Sequence, residues 1–192
     1  FDAVDPDVNY YQGPAWYKTQ LEIKNPYQNG RTLLHFEGAG QKTEVYIYTT
    51  KVGSHVGGYD EWTVDITDAL AEFVKNKELA NTFDGKIPLS IRCDNSRDLE
   101  MMPSDLSDFN LYGGIYRYLN LVYVPTISIG QLHINPTVDK NGTVGNYEIS
   151  LKPDNKSTGS KATLTLEIFD HQGKLINTSN QEITVFEGEK TI

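Results

Sequence analysis

Apolar and polar residues alternate along most of this chain with the period of a β-strand. In WYKTQLEI, Tyr17, Thr19, Leu21 and Ile23 fall on one face and Trp16, Lys18, Gln20 and Glu22 on the other. TEVYIYTT sets Val45 and Ile47 against Tyr46 and Tyr48, and KIPLSIRC and IYRYLNLVYV alternate in the same way. A period of two is what a strand with one buried face requires. Asn29-Gly30 and Asp84-Gly85 stand between such runs, where a tight turn needs positive φ. One stretch, TDALAEFVKN, changes period: Leu70, Phe73 and Val74 make a short helical stripe that Thr67 or Asp68 can cap. The pattern predicts an all-β chain with a turn or two of helix inserted.

The texture changes near Pro125. Gly-rich, aromatic loops precede it. After it come five closely spaced strand candidates, TISIGQLHINPTV, GNYEISLKP, KATLTLEIFD, GKLINTS and QEITVFE. Asn141-Gly142, Pro153-Asp154-Asn155 and Gln172-Gly173 punctuate them. Two domains are expected, 1–124 and 125–192, the second reading as the start of an immunoglobulin-like sandwich. Such sandwiches take about 100 residues and seven strands, so the second domain is expected to be truncated here. The opening at Phe1 reads as a trimmed start to the first. An incomplete sandwich would leave an apolar edge open to self-association.

Charge narrows the partners. Lys and Arg total 17 against 26 Asp and Glu, a net charge of −9 that disfavours nucleic acid and anionic lipid. No apolar run approaches the roughly 20 residues that span a bilayer as a helix. The single cysteine, Cys93, excludes an internal disulfide and a cysteine-cluster metal site. Its alternating surroundings, IPLSIRCDN, make it a buried structural thiol. His35, His55, His133 and His171 have no ligand spacing. The Gly53–Gly58 loop lacks the Lys-Ser/Thr of a phosphate-binding loop. Nothing in the chain calls for a cofactor or a metal, and the compartment stays open.

The most distinctive stretch is SDFNLYGGIYRYLNL, residues 107–121. Gly113-Gly114 before a strand permits torsions or close approaches that a Cβ would block. In a regular strand Arg117 shares a face with Ile115, Leu119 and Leu121. An arginine on such a face calls for a buried carboxylate partner, with Asp65, Asp94 and Asp108 as candidates. Asp108 sits among Phe109, Tyr112 and Tyr116. A carboxylate beside flat aromatic faces suits sugars, because it accepts from paired hydroxyls while C–H faces stack on rings. Loop capping and ion pairing remain open for the same residue. Trp62 is expected to pack in the core, with a sugar platform as the alternative.

Four segments, GPAWYKTQLEI, LLHFEGAGQKTEVYIYTTKVGSHVGGYDEWTVDIT, LSIRCDN and PSDLSDFNLYGGIYRYLNLVYV, occur in an order that resembles the N-terminal sugar-binding domain of family 2 glycoside hydrolases. That family contains β-galactosidases, β-glucuronidases and β-mannosidases. The resemblance covers about residues 12 to 124, and the remainder is similar to the family's following immunoglobulin-like domain. It implies a jelly-roll, galactose-binding-like β-sandwich, then a second sandwich, then a downstream (β/α)8 barrel.

The resemblance also assigns residues. Asp108 matches the acid that opens a D-F/M-x-x-x-G/A-G-I-x-R pattern and binds glycone hydroxyls in the barrel's active site. Two residues on, Asn110 stands where the galactosidase branch commonly has Trp, so the glycone stays unnamed. Gln12 falls near an Asn that touches sugar in galactosidases. Gly57, Gly58, Gly113, Gly114 and Arg117 are expected to shape the loops. Strand Val45–Tyr48 usually ends in Asn-Gly, which Thr49-Thr50-Lys51 replaces here.

The implied chemistry is hydrolysis of a β-glycoside with retention, by two glutamates about 5–5.5 Å apart, both on the barrel. Asp98, Glu100, Asp105 and Asp108 are therefore not a catalytic pair, and the chain alone is expected to be inactive. Its carbohydrate partner would be met through the full enzyme, with this region supporting the barrel and lending it a loop. An autonomous carbohydrate-binding module, or an adhesion or scaffold protein of sandwich domains, is the alternative.

Overall fold

The computed structural model describes residues 11–102, 111–155 and 159–185. The chain divides into two compact units, Phe1–Tyr123 and Val124–Ile192. The first unit is built on two sheets. One has the order β1-β7-β4-β5, from β1 (Pro14–Leu21), β7 (Ile87–Asp94), β4 (Lys42–Ile47) and β5 (Thr50–Val56). The other runs β6-β2-β9, from β6 (Trp62–Asp65), β2 (Arg31–Phe36) and β9 (Leu119–Val124). A two-residue pair, β3 (Ala39–Gly40) with β8 (Gly114–Ile115), lies beside them in sequence.

The alternation seen in the sequence becomes the core. Ile87, Leu89, Ile91 and Cys93 of β7 are buried, as are Val45 and Ile47 of β4. They share one cluster with Leu34 and Phe36 of β2 and Val64 of β6, so the two sheets close on each other as a sandwich. Each large apolar side chain buried this way contributes roughly 1.5–3 kcal/mol. The all-β expectation holds, and Cys93 is the buried thiol expected, 1% exposed with its pKa raised by burial.

Two helices interrupt the strands. Helix α1 (Thr67–Lys75) adds Leu70 and Phe73 to the core. Its start is fixed by Asp65, whose Oδ1 accepts from Thr67 N–H at 2.9 Å and from the Thr67 hydroxyl at 2.5 Å. Thr67 thus donates to the carboxylate instead of capping the helix itself. Helix α2 (Lys77–Thr82), absent from the sequence expectation, starts at Asn76, whose Oδ1 accepts from Leu79 N–H at 3.1 Å. Asp84 (φ 52) and Gly85 (φ 74) carry the chain from α2 into β7, so this turn joins a helix to a strand. At the β4–β5 turn the positive φ falls on Tyr48 (φ 53), where a ring held against Phe73 and Phe83 stands in place of Asn or Gly.

The buried arginine is not the one expected. Arg31 is 4% exposed, with its Nη1 3.8 Å from Asp65 Oδ2. Arg117 is exposed. Strand β8 ends at Ile115 and β9 begins at Leu119, so the period-two register that would have turned Arg117 inward is broken between them.

The second unit consists of two antiparallel hairpins. Strand β10 (Ile127–Val138) pairs with β11 (Gly145–Asn155), and β12 (Ser160–Phe169) with β13 (Leu175–Val185). Leu132, Ile134 and Tyr147 of the first hairpin face Leu164 and Leu166 of the second across an apolar cavity of about 320 Å³. Val185 is the buried apolar residue among those described in this unit.

Candidate functional site

Three loops of the first unit meet at Asn95, immediately after β7. Its Oδ1 accepts from Gly13 N–H at 2.9 Å. Its Nδ2 donates to the carbonyls of Tyr11 at 3.1 Å and Leu111 at 3.4 Å. Asn95 is only 4% exposed; its bond from Gly13 is buried and the two to Tyr11 and Leu111 are part-buried. One amide therefore ties the segment holding Gln12 to the segment that runs into Gly113-Gly114. Gln12 itself is exposed. Asp108 lies outside the described residues.

Close packing explains the glycines around this junction. Gly114 has φ +77, and a Cβ there would collide with the Tyr17 hydroxyl. Gly113 lies directly over the Asn95 amide. Gly57 (φ +147) sits against the Asp60 carboxylate, and its N–H donates to the Gln41 carbonyl at 2.8 Å. Gly58 rests on the Gln41 side chain. The 57–60 loop is also pinned by His55, whose Nε2 is 2.9 Å from Asp60 Oδ2.

His55 also stacks on Trp62 with centroids 5.0 Å apart, and Phe36 stacks on the same indole at 4.2 Å. Stacked on two rings and packed against the core cluster, Trp62 is a packing residue. The acidic stretch after β7 is likewise engaged, since Asp98 pairs with Lys42. Among the described residues no group of three or more His, Cys, Asp or Glu side chains could hold a metal.

Next to the junction lies an open basin of about 660 Å³. Tyr59, Tyr112, Tyr116 and Tyr118 wall it, over Ile115, with Glu37 and Arg117 as its charged groups. The Tyr116 ring leans on Tyr112 (5.8 Å) and Tyr59 (6.1 Å). Its hydroxyl is buried with no hydrogen-bond partner among the described residues, and burial, with the nearby Tyr59 and Asp60, pushes its pKa up. Backbone bonds fix the two charged residues side by side: Glu37 N–H donates to the Tyr118 carbonyl at 3.0 Å and Arg117 N–H to the Gly38 carbonyl at 3.4 Å.

Sequence reasoning singled out the Gly-Gly pair, Gln12 and the 107–121 loop, and missed Asn95, Glu37 and Tyr59. Asn95 carried no local signal, because its partners Tyr11 and Gly13 are more than 80 residues away.

Comparison with known proteins gives this geometry its context. No protein-family profile matches the chain. A β-glucuronidase of Parabacteroides merdae is similar at 55% identity and a TM-score of 0.90, over 100% of this chain and 24% of that one. Bacteroides uniformis β-glucuronidase 3 is similar at 53% identity and a TM-score of 0.81, over 100% and 24%. A putative β-glucuronidase of Formosa agariphila is 40% identical over 141 residues, which make up 73% of this chain and 16% of that protein. The chain thus spans a quarter or less of these relatives. In sequence and in fold it belongs with the family 2 glycoside hydrolases, matching their N-terminal region.

Proposed function

We propose that this chain is the non-catalytic N-terminal region of a retaining β-glycosidase of the β-glucuronidase or β-galactosidase kind. The observation that carries the reading is its likeness, along its whole length and at 55% identity, to about one quarter of a β-glucuronidase. In this reading the two glutamates that perform retention, about 5–5.5 Å apart, belong to a downstream (β/α)8 barrel. The first unit supports that barrel, and the loop carrying Asp108 closes one side of the substrate pocket, where the carboxylate accepts from glycone hydroxyls. Gln12 is a second sugar contact, presented from the segment that Asn95 holds in place. Hydrogen bonds to a charged acceptor contribute about 1.5–3 kcal/mol, enough for Asp108 to matter to transition-state binding.

The test is Asp108→Ala in the full-length protein, assayed on aryl β-glucuronide and aryl β-galactoside. Expected is a fall in kcat/KM of roughly tenfold to a hundredfold on the preferred glycone, with thermal stability unchanged. Kinetics equal to those of the parent would remove Asp108 from the sugar site.

A further inference from the structure

The outer face of the β1-β7-β4-β5 sheet carries an aromatic pair that the site described above does not use. Odd-numbered residues of β7 fill the core, so Ser90 and Arg92 face outward, and their strand partners share that face. Trp16 and Lys18 of β1 stand opposite Arg92 and Ser90, and Glu44 and Tyr46 of β4 flank the same two residues on the other side. The Trp16 and Tyr46 rings meet across β7, where Ser90 is too small to part them, with centroids 5.6 Å apart and planes tilted by 42°. Trp16 is 52% exposed, an indole left in water on a regular strand. The groups around the two rings are fixed. The Tyr46 hydroxyl donates to Glu44 Oε2 at 3.0 Å, Lys51 Nζ donates to Glu44 Oε1 at 2.6 Å, and Arg92 Nη2 donates to Asp94 Oδ2 at 2.6 Å.

The surroundings of the rings select the ligand. A stable protein interface covers about 800 Å² on each partner around a core depleted in charge, whereas these two rings stand among Lys18, Gln20, Lys51 and Arg92. Glu44 and Asp94 offset Lys51 and Arg92, so the patch gives a polyanion little to hold. A neutral pyranose fits both features: its flat C–H face stacks on an aromatic ring, and its hydroxyls bond to charged groups at the ring's edge. We propose that this face binds a neutral β-linked oligosaccharide, one sugar on Trp16 and the next on Tyr46, with hydroxyls donating to Glu44 and accepting from Lys18 and Arg92. The inference rests on the carbohydrate reading above for its class of ligand alone. It uses no residue of the glycone pocket and no turnover, and it gives the protein a hold on a polymer away from the bond being cleaved.

The experiment titrates the 192-residue chain, whose first unit closes its own core, with cellohexaose, xylohexaose, mannohexaose and glucose, followed by calorimetry and tryptophan fluorescence. The chain has two tryptophans, and Trp62 is packed against the core, so a change in emission reports Trp16. The expected result is binding of at least one hexaose with a shift in emission, and glucose weaker by about tenfold or more because it covers a single ring. Trp16→Ala should weaken the hexaose roughly tenfold, with far-UV circular dichroism unchanged. In the full-length protein the same substitution should leave aryl-glycoside hydrolysis as it was, which separates this face from the glycone pocket. Binding of no hexaose, glucose bound as tightly as the hexaose, binding that survives Trp16→Ala, or loss of aryl-glycoside hydrolysis with Trp16→Ala would each overturn the proposal. So would a dimer in sedimentation that Trp16→Ala dissolves, since the face would then be an interface between copies.

Discussion

Asn95 concentrates much of what holds the candidate site together. One buried amide satisfies a backbone N–H and two backbone carbonyls from two distant segments. Truncation to Ala would remove all three bonds at a position only 4% exposed, and each unmade bond there costs about 1 kcal/mol or more. Asn95→Ala is expected to lower the unfolding free energy by roughly 2–4 kcal/mol in urea denaturation. Asn95→Asp should recover little, because it keeps the acceptor for Gly13 but sets a carboxylate against two carbonyls. No reading of LSIRCDN could have found this role, since a buried amide is legible only once its distant partners are in place. Cys93 shows the opposite case. Its place in an alternating run was enough to predict burial, and the thiol is 1% exposed.

Strand ends decide how far sequence reasoning reached among the elements. Where a strand stays regular, as in β7 and β4, alternation places each side chain on its proper face. It fails where pairing stops. The break between β8 and β9 exposes Arg117, and Arg31 takes the buried position beside Asp65. Helix α2 is six residues long, too short to show a helical period, and only Asn76 marks its start.

The end of β7 carries a pH prediction. Burial alone would raise the Asp94 pKa, but bonds from Ser96 N–H (2.9 Å), the Ser96 hydroxyl and Arg92 Nη2 (2.6 Å) outweigh it and hold the carboxyl below its usual range. A carboxyl whose folded pKa is depressed stabilises the fold fully above its unfolded pKa, near 3.9. That contribution is lost as pH falls through the folded value. Asp94→Asn should therefore be less stable than the parent at pH 6, with the gap closing toward pH 2. A gap independent of pH in thermal unfolding would contradict the assignment.

At the scale of the whole molecule, fold and chemistry come from different sources. Periodicity predicted strands, and the sandwich of the first unit follows from which faces those strands bury. In the second unit Asn141-Gly142 and Gln172-Gly173 fall at the two hairpin turns as expected, but Pro153-Asp154-Asn155 lies inside β11 and the last two strand candidates join as β13, so five expected strands become four. Function was legible only through resemblance, because a sugar-contacting acid looks like any loop aspartate until a family pattern surrounds it. The chain matches 24% of the Parabacteroides merdae β-glucuronidase and 16% of the Formosa agariphila relative, and our account places catalysis outside it. The most direct measurement is hydrolysis of aryl β-glucuronide and aryl β-galactoside by the full-length protein and by the 192-residue chain, side by side. The account predicts turnover with retained anomeric configuration by the full-length protein, and a rate no higher than the uncatalysed reaction for the chain alone. Turnover by the isolated chain, or a full-length protein inert toward both, would contradict it.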